Sequence, residues 1–412
     1  MPLGADIRTA KRMLRGAYRS WRSRNLLAER LAEAEGIAPG TAEIAVYFAD
    51  SSINLYQLRQ WYAPLAELAQ KRPVVVIART PEATVQLLRE CPVPVVHLRK
   101  VADLERFTTQ HPLKMVFYVN QNAKNLTMFR YGRMWHVFVN HGESDKAYMV
   151  SNQYKAYDYA FVAGPAARER LDRALWNYDV DARTLEIGRP QADHFAGPVP
   201  FPSDDRTVVL YAPTWEGDRA SMAYGSIASH GVTLVTQLIN DRRFRVIYRP
   251  HPRSGVVRDD YRAANEAIIA ALDRANRADA SAHHVFDTSA QVGWQLVAAD
   301  VAITDISAMV YDRLATGKPL LVTRPESREA EIDESGYLGA CEWVTSDAAT
   351  AITARVDAVL HDPEAQQRLN TWVHRHFGDT TPGAATARFH AAVDTLVGEW
   401  HRHADRAVDA DS

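Results

Sequence analysis

The sequence contains few cysteines and no long apolar segment. Its two cysteines, Cys91 and Cys341, lie far apart and outside any CxxC or CxxxC spacing. This argues against a disulfide framework and a cysteine-built zinc site, and it fits a reducing compartment. No apolar run approaches the roughly 18 residues that cross a bilayer, and the N-terminus lacks the apolar stretch of a secretory signal. We therefore expect a soluble or peripheral protein.

The short motifs of several large enzyme classes are also missing. The sequence contains no GxGxxG, GxxxxGK[ST], GxSxG or HExxH, so nicotinamide, P-loop, serine-hydrolase and zinc-protease chemistry are not indicated. The net charge of −2 gives no electrostatic reason to expect nucleic acid. The sequence thus predicts no metal, no cofactor and no nucleic-acid partner.

Length and pattern together predict two α/β domains. The chain has 412 residues, 47% of them hydrophobic, and short apolar runs alternate with helical stretches beyond Gly36. A proline-rich break between residues 188 and 202 separates two such series. We expect an N-terminal Rossmann-like acceptor domain at 37–196, a C-terminal Rossmann-like donor domain at 205–375 and a helical tail at 376–412.

The apolar runs give the candidate strands, and longer stretches between them give candidate helices such as Leu55–Gln70 and Tyr224–Ile239. The strands predicted in the first domain are Ile44–Phe48, Val74–Ile77, Val93–Leu98, Met115–Val119, His136–Val139, Ala160–Val162 and Thr184–Ile187. Those predicted in the second are Val208–Tyr211, Arg245–Tyr248, His284–Phe286, Val301–Thr304 and Leu320–Val322.

The first 24 residues have a strongly basic character. They carry seven Lys and Arg side chains and one Asp, a charge of +6. Ile7, Leu14, Tyr18 and Trp21 recur at a spacing that places them on one helical face. This pattern, within residues 1–36, predicts a basic amphipathic helix that binds an anionic membrane surface. The alternative is a helix that docks its apolar face on the protein.

Chemically reactive side chains follow four of the predicted strands. In open parallel α/β sheets ligands bind beyond the carboxyl ends of the strands, so these segments indicate an active site for an anionic, hydroxylated substrate. The segments are His141–Lys146, Ala212–Trp215, Arg249–Pro252 and Thr304–Ser307.

Two histidines in these segments are candidate catalytic residues. His141, followed by Gly142, can accept a proton from an attacking hydroxyl near neutral pH. His251 lies between two prolines and close to Arg249 and Arg253, an arrangement suited to a phosphate or diphosphate. The alternatives are an ordinary loop histidine and a proline-rich turn with solvated arginines.

The other segments offer hydroxyl and carboxylate groups at strand ends. Ser307 is a good helix N-cap, and the free amides behind it favour an anion. Asp287 to Ser289 repeats the pattern of a strand followed by hydroxyls, and Thr214 could supply a further hydroxyl or simply pack at a strand end. Ser307 could equally be a plain cap.

Taken in order, these segments resemble the glycerophosphotransferases that build teichoic acids. The resemblance rests on His141-Gly142, Tyr211–Trp215, Arg249–Pro252, Thr304–Ser307 and Lys318-Pro319, and it covers roughly residues 115–325. It implies a GT-B architecture, in which two Rossmann-like domains face a cleft. Members of this family transfer glycerol phosphate from CDP-glycerol to a growing wall polymer at the inner face of the membrane.

The resemblance also implies roles for individual residues. His141 matches the proposed catalytic base, and His251 matches a second essential histidine near the pyrophosphate. Supporting positions are implied for Gly142, Thr214 and, in the segment Gly188-Arg189-Pro190, Arg189. The donor and its phosphates are expected to contact Arg249, Arg253, Asp287, Ser289, Thr304, Asp305 and Ser307.

We therefore expect a peripheral transferase at the cytoplasmic face of the cell membrane. It would move a polyol phosphate, most simply glycerol phosphate, from a CDP-activated donor to a hydroxyl of a lipid-linked or polymeric cell-wall or capsule acceptor, releasing CMP. A GT-B glycosyltransferase that uses a nucleotide sugar is the alternative. A third hypothesis is a non-catalytic assembly protein of the same fold.

Overall fold

A computed structural model describes residues 25–33, 37–143, 147–289 and 292–411. The basic helix predicted for residues 1–24 lies outside these ranges, so the structure does not bear on it. The described residues contain two parallel β-sheets, each covered by helices, with one sheet in each half of the chain. The prediction of two doubly wound α/β domains is confirmed.

The first sheet has seven parallel strands in the order β3-β2-β1-β4-β5-β6-β7. Its first strand is buried along its whole length on both faces, which explains why these strands are nearly continuous apolar runs rather than alternating ones. The strands are β1 Ile44–Phe48, β2 Val74–Ala78, β3 Val95–His97, β4 Met115–Tyr118, β5 Trp135–Phe138, β6 Tyr159–Val162 and β7 Thr184–Glu186.

The second sheet has six parallel strands in the order β10-β9-β8-β11-β12-β13. Strand order reverses beside β8, as it does beside β1 in the first sheet, and such switch points are where open α/β sheets bind ligands. The strands are β8 Thr207–Ala212, β9 Phe244–Tyr248, β10 Val285–Phe286, β11 Val301–Thr304, β12 Leu320–Thr323 and β13 Glu342–Val344.

Helices connect the strands and cover both faces of each sheet. The first domain has α1 at 25–33, α2 Leu55–Arg59, α3 Tyr62–Ala69, α4 Pro81–Glu90, α5 Val101–Gln110, α6 Pro165–Ala174, α7 Val180–Arg183 and α8 Pro190–Asp193. The remaining helices are α9 Val232–Asn240, α10 Asp259–Ala278, α11 Trp294–Ala298, α12 Ala308–Leu314, α13 Ile352–His361, α14 Pro363–Phe377 and α15 Ala384–Asp411.

Two predicted helices differ from the observed ones, and one observed strand was not predicted. The single helix expected at Leu55–Gln70 is interrupted after Arg59, because Pro64 lacks the amide that would bond to the carbonyl of Gln60. The helix expected at Tyr224–Ile239 starts as a π-helical turn at Ile227–Gly231. Strand β13 was not predicted, since three residues are too short for an apolar pattern.

The last helix returns to the first domain. Phe389, Val393 and Leu396 of α15 are buried in the core on one face of the first sheet. The indole Nε1 of Trp135 donates to the carbonyl of Leu396 at 2.9 Å. Burial stabilises the fold by roughly 1.5 to 3 kcal/mol for each large apolar side chain, before ordering costs. Helix α15, which forms most of the helical tail expected at residues 376–412, therefore packs as part of the first domain.

Candidate active site

The loop after β5 presents His141 at the carboxyl edge of the first sheet. Asn140 has a left-handed backbone with φ of 54°, a conformation that asparagine tolerates better than most residues. Its side-chain Oδ1 accepts from the amide of His141 at 2.8 Å, and its Nδ2 donates to the carbonyl of Gly142 at 2.8 Å. The indole of Trp61 donates to the Asn140 carbonyl. Asn140 thus makes the left-handed turn that leads into His141.

The hydrogen bonds of the His141 ring fix its tautomer. Nδ1 lies 2.9 Å from the carbonyl oxygen of Val119, and because a carbonyl can only accept, Nδ1 carries the proton. In the neutral ring Nε2 therefore holds a lone pair. Burial, and to a smaller extent the positive charge of Arg189, lower the pKa of His141, although the bond to Val119 opposes the shift. The imidazole is accordingly neutral and ready to accept a proton at pH 7.

An open pocket of about 500 Å³ lies behind this loop. Its walls are formed by Trp61, Gly142, Glu143, Arg170 and Arg189, among other residues of the first domain, and by Phe377. Glu143 forms an ion pair with Arg170. Arg189 forms an ion pair with Asp312 of the second domain. The predicted supporting residues Gly142 and Arg189 therefore lie beside His141.

In the second domain, the loop after β9 carries His251 and Arg253. The backbone amide of Arg253 donates to Nδ1 of His251 at 3.1 Å, so in the neutral ring the proton lies on Nε2. Partial burial and the nearby Arg253 charge lower the pKa of His251, which Glu216 opposes. The exposed Nε2–H of a neutral His251 is thus a hydrogen-bond donor, whereas His141 offers an acceptor.

Arg253 supplies positive charge next to His251. Its guanidinium lies 3.7 Å from the centre of the Trp215 ring, a cation–π contact that keeps the charge at the protein surface. Among the ion pairs found in the described ranges, none includes Arg253. Its charge is consequently available to an anionic ligand.

Sequence reasoning missed the residue that shapes this loop. Glu216 is 3% exposed, and its carboxylate accepts from the backbone amides of Gly255, Val257 and Arg258 at 2.9 to 3.1 Å. Burial opposes ionisation, but these hydrogen bonds hold the pKa of Glu216 below its usual range. Gly255 is left-handed with φ of 77°. No local motif around Glu216 indicates such long-range backbone contacts.

A second network joins Arg249, Asp287 and Ser289, three residues that the sequence analysis assigned to the donor and its phosphates. The Arg249 guanidinium pairs with Asp287 and donates to the Ser289 carbonyl at 2.9 Å. Gln295, which the sequence did not single out, donates to Asp287 Oδ2 at 2.6 Å. Burial alone would raise the pKa of Asp287. The hydrogen bonds from Ser289, Arg249 and Gln295 outweigh burial and hold the pKa below its usual range. The carboxylate therefore positions Arg249.

Thr304 and Asp305, predicted among the phosphate-binding residues, are instead fully buried. Asp305 Oδ2 accepts from the amides of Thr214 and Ser226 at 2.7 and 3.0 Å, and Oδ1 accepts from the Thr323 hydroxyl at 2.5 Å. Burial raises the pKa of Asp305 to about 6 against these bonds. Asp305 thus anchors the loop that carries Thr214, because a buried carboxylate must be satisfied by nearby hydrogen-bond donors.

Replacing Asp305 with alanine should strongly destabilise the second domain. The change removes the acceptor of the Thr214 and Ser226 amides and leaves the Thr323 hydroxyl with only its longer bond, of 3.4 Å, to the Thr304 carbonyl, at a cost of about 2 to 4 kcal/mol in total. For a domain of this size we expect a melting temperature lower by about 5 to 10 °C in scanning calorimetry.

Asp300→Ala is the matched control for Asp305→Ala. The exposed Asp300 also accepts one strand amide, that of Val208 at 2.8 Å, and its replacement should lower the melting temperature by less than about 3 °C. Equal losses in the two variants would contradict the anchoring role of Asp305.

Ser307 caps helix α12 as predicted from the sequence. Its hydroxyl accepts from the amide of Met309 at 3.2 Å. Contact of Ser307 with a phosphate remains a prediction.

Across the parts of the chain that the structure describes, no three His, Cys, Asp or Glu side chains are grouped to hold a metal ion. In those same parts no helix is both long and apolar enough to cross a bilayer.

Comparison with solved structures places this architecture among GT-B-like proteins. A variant of the wall teichoic acid polymerase TagF aligns over 98% of this chain and 99% of its own, with 13% identity and a TM-score of 0.55. A putative UDP-N-acetylglucosamine 2-epimerase from Listeria monocytogenes aligns over 87% of this chain and 98% of its own, with 13% identity and a TM-score of 0.55. At these identities the similarity establishes the fold alone.

Comparison of the sequence with protein families is more specific. A search of curated proteins finds no match. The family described as CDP-glycerol:poly(glycerophosphate) glycerophosphotransferase matches residues 117–389, a span that includes both histidine loops and the Arg249 network. The chain therefore belongs to the CDP-glycerol glycerophosphotransferase family of enzymes, as its ordered strand-end motifs indicated.

Proposed function

We propose that this protein transfers glycerol phosphate from CDP-glycerol to a hydroxyl group of a cell-wall or capsule polymer. The observation that carries the proposal is that the hydrogen bonds of two neutral histidines, one in each domain, select opposite tautomers. The Val119 carbonyl leaves Nε2 of His141 as a proton acceptor, whereas the Arg253 amide leaves Nε2 of His251 as a donor. Transfer of a phosphoryl group to a hydroxyl can use both functions, the acceptor to take the proton of the hydroxyl and the donor to stabilise charge on the phosphate oxygens.

In this reaction the acceptor hydroxyl gives its proton to Nε2 of His141. The oxygen attacks the β-phosphorus of the donor, a new phosphorus–oxygen bond forms, and the bond to the α-phosphate oxygen breaks. CMP leaves with that electron pair. Nε2–H of His251 and the guanidinium of Arg253 offset the negative charge that develops on the phosphate oxygens.

The donor would bind to the second domain. Arg249, Arg253, Ser289 and Ser307 supply positive charge and hydroxyls near the carboxyl ends of strands β9, β10 and β11. The family description names CDP-glycerol, and a histidine-to-asparagine variant of TagF, which has the same fold, was solved after soaking with CDPG. Both findings support CDP-glycerol as donor.

The acceptor would be lipid-linked, and the enzyme would reach it as a peripheral protein at the cytoplasmic face of the membrane. Support comes from residues 1–24, whose charge of +6 favours an anionic surface. Each basic side chain near such a surface contributes on the order of 1 kcal/mol of attraction. Tyr18 and Trp21 would add interfacial burial.

Deleting residues 1–24 should abolish binding to anionic vesicles but leave transfer to a soluble acceptor unchanged. The full chain is expected to float with vesicles that contain phosphatidylglycerol and to remain in the dense fraction with neutral vesicles. Raising the salt should release it, because exposed charges are screened over about 8 Å at physiological ionic strength. If full-length and truncated chains float equally, residues 1–24 do not form the anchor.

The proposed reaction is tested by measuring CMP release from CDP-glycerol, CDP-ribitol and nucleotide sugars with candidate acceptors. We expect release from CDP-glycerol and a new phosphodiester in the product. A new glycosidic bond, formed from a nucleotide sugar with attack at carbon, would instead establish the glycosyltransferase alternative. Full function in a chain that carries both His141→Ala and His251→Ala would favour the non-catalytic hypothesis.

A further inference from the structure

A buried ion pair connects the two domains next to His141. Nη2 of Arg189 lies 2.5 Å from Oδ1 of Asp312, and the two side chains are only 7% and 16% exposed. Arg189 follows β7, the last strand of the first sheet, whereas Asp312 lies in α12 of the second domain. One guanidinium and one carboxylate therefore span the domain interface.

The backbone before Arg189 is fixed by the returning C-terminal helix. Gly188 has a φ of 68°, and a Cβ there would lie 2.1 Å from Nη2 of Arg388 and 3.0 Å from Cβ of Ala385. Only glycine combines this backbone conformation with so little space. The direction in which Arg189 leaves the strand is thus determined by packing against α15.

The Arg189 guanidinium also lies against the His141 loop. Its Nη2 is 3.5 Å from Oε1 of Gln60, and a Cβ added to Gly142 would lie 3.9 Å from both Nη1 and Nη2. The Nε of Arg189 is buried, and no described residue forms a hydrogen bond with it. Arg189 accordingly carries its charge to the residue that follows His141 rather than into solvent.

The other described groups around His141 are an aromatic ring, a backbone carbonyl and an ion pair, so the charge of Arg189 acts directly on the imidazole. The ring of Tyr56 meets the imidazole edge-on at 5.9 Å, and β4 contributes the carbonyl of Val119. Glu143 and Arg170, nearby in the same pocket, form an ion pair with each other. Among the described residues, the ionised side chain that acts on the imidazole is Arg189, and Asp312 is its ion-pair partner.

We infer that Arg189 and Asp312 form an interdomain pair that positions the His141 loop against the donor domain and balances the charge beside the imidazole. The inference rests on the proposed role of His141 as the base. A guanidinium alone disfavours the imidazolium, and a carboxylate on that guanidinium offsets the effect. Separation of the domains removes Asp312 and weakens the base, so His141 is the stronger base when the two domains are together.

The two partners should affect His141 in opposite directions when they are neutralised one at a time. Arg189→Gln removes the positive charge, so the pKa of His141 should rise by roughly 0.5 unit, less than for a charge in direct contact. Asp312→Asn leaves Arg189 uncompensated, so the pKa should fall by a similar amount. The acidic limb of the pH–rate profile should move with it, while the affinity for CDP stays within about twofold.

The pKa of His141 is measured by NMR titration of the full chain with 13Cε1-labelled histidine, assigned by comparison with His141→Gln. This readout does not depend on turnover, so it remains valid even if the proposed reaction fails. Opposite shifts in the two variants, and a wild-type value in Asp312→Glu, support the inference. Shifts in the same direction, or no shift, overturn the inference and would mean that the Arg189–Asp312 pair has only a structural role. If Arg189→Gln fails to fold, the direction of the Asp312→Asn shift decides alone.

Discussion

Turnover of the His141→Ala variant is expected to be at least about 100-fold below wild type, the usual scale for loss of a general base. Alanine removes Nε2, the nitrogen left free to accept a proton because Nδ1 donates to the Val119 carbonyl. The donor site that we propose lies in the other domain, so affinity for CDP should remain within about twofold. CMP release at saturating donor and acceptor, together with calorimetry of CDP binding, measures both quantities.

The pH dependence of wild-type turnover provides a second test of His141. The base must be unprotonated, and burial lowers its pKa from the ordinary value of 6.5. Activity should therefore fall on the acidic side only below about pH 6.5. His97→Ala is a matched control, because this histidine is the last residue of β3 in the same sheet, bonds to Thr84 and also has a pKa lowered by burial. Near-wild-type turnover in folded His141→Ala would exclude this residue from the mechanism.

Replacing His251 with alanine should also reduce turnover by at least about 100-fold, as expected for loss of a donor that stabilises transition-state charge. The variant loses the Nε2–H that we propose contacts the phosphates, and it loses the acceptor for the Arg253 amide. Unlike His141→Ala, it should also weaken the binding of CDP, because Arg253 is then held less firmly.

A control from the same loop separates this effect from a general sensitivity of the loop to substitution. Arg258 forms an exposed ion pair with Asp260, and such surface pairs contribute little. Arg258→Ala should therefore keep turnover within about twofold of wild type. Equal losses in Arg258→Ala and His251→Ala would show that the loop tolerates no change, rather than that His251 contacts the phosphates.

The sheets were predictable from the sequence because their strands are buried on both faces. A strand such as Val74–Ala78 needs apolar residues at every position, and this produces runs that stand out from the amphipathic helices between them. The positions of the catalytic candidates followed from the same feature, since ligands bind where parallel strands end. His141 and His251 were found in this way.

The sequence could not separate residues that face the cleft from those that support it. Asp305 and Asp287 both follow strands. Asp305 is buried and accepts hydrogen bonds from three donors, whereas Asp287 forms an ion pair with Arg249. This difference depends on where Thr214, Ser226 and Gln295 lie, and these positions are set by tertiary packing. The partner of Arg189 is 123 residues away along the chain (312 − 189), and no local pattern indicates such a contact.

The central claim is that the acceptor hydroxyl attacks phosphorus, and a doubly labelled donor tests it most directly. CDP-glycerol carrying 32P in the β-phosphate and 14C in the glycerol is incubated with the full chain and a lipid-linked acceptor. We expect both labels to enter the acceptor in a 1:1 ratio while unlabelled CMP is released. Transfer of 14C without 32P, with labelled CDP as the leaving group, would mean attack at carbon and would contradict the proposed mechanism.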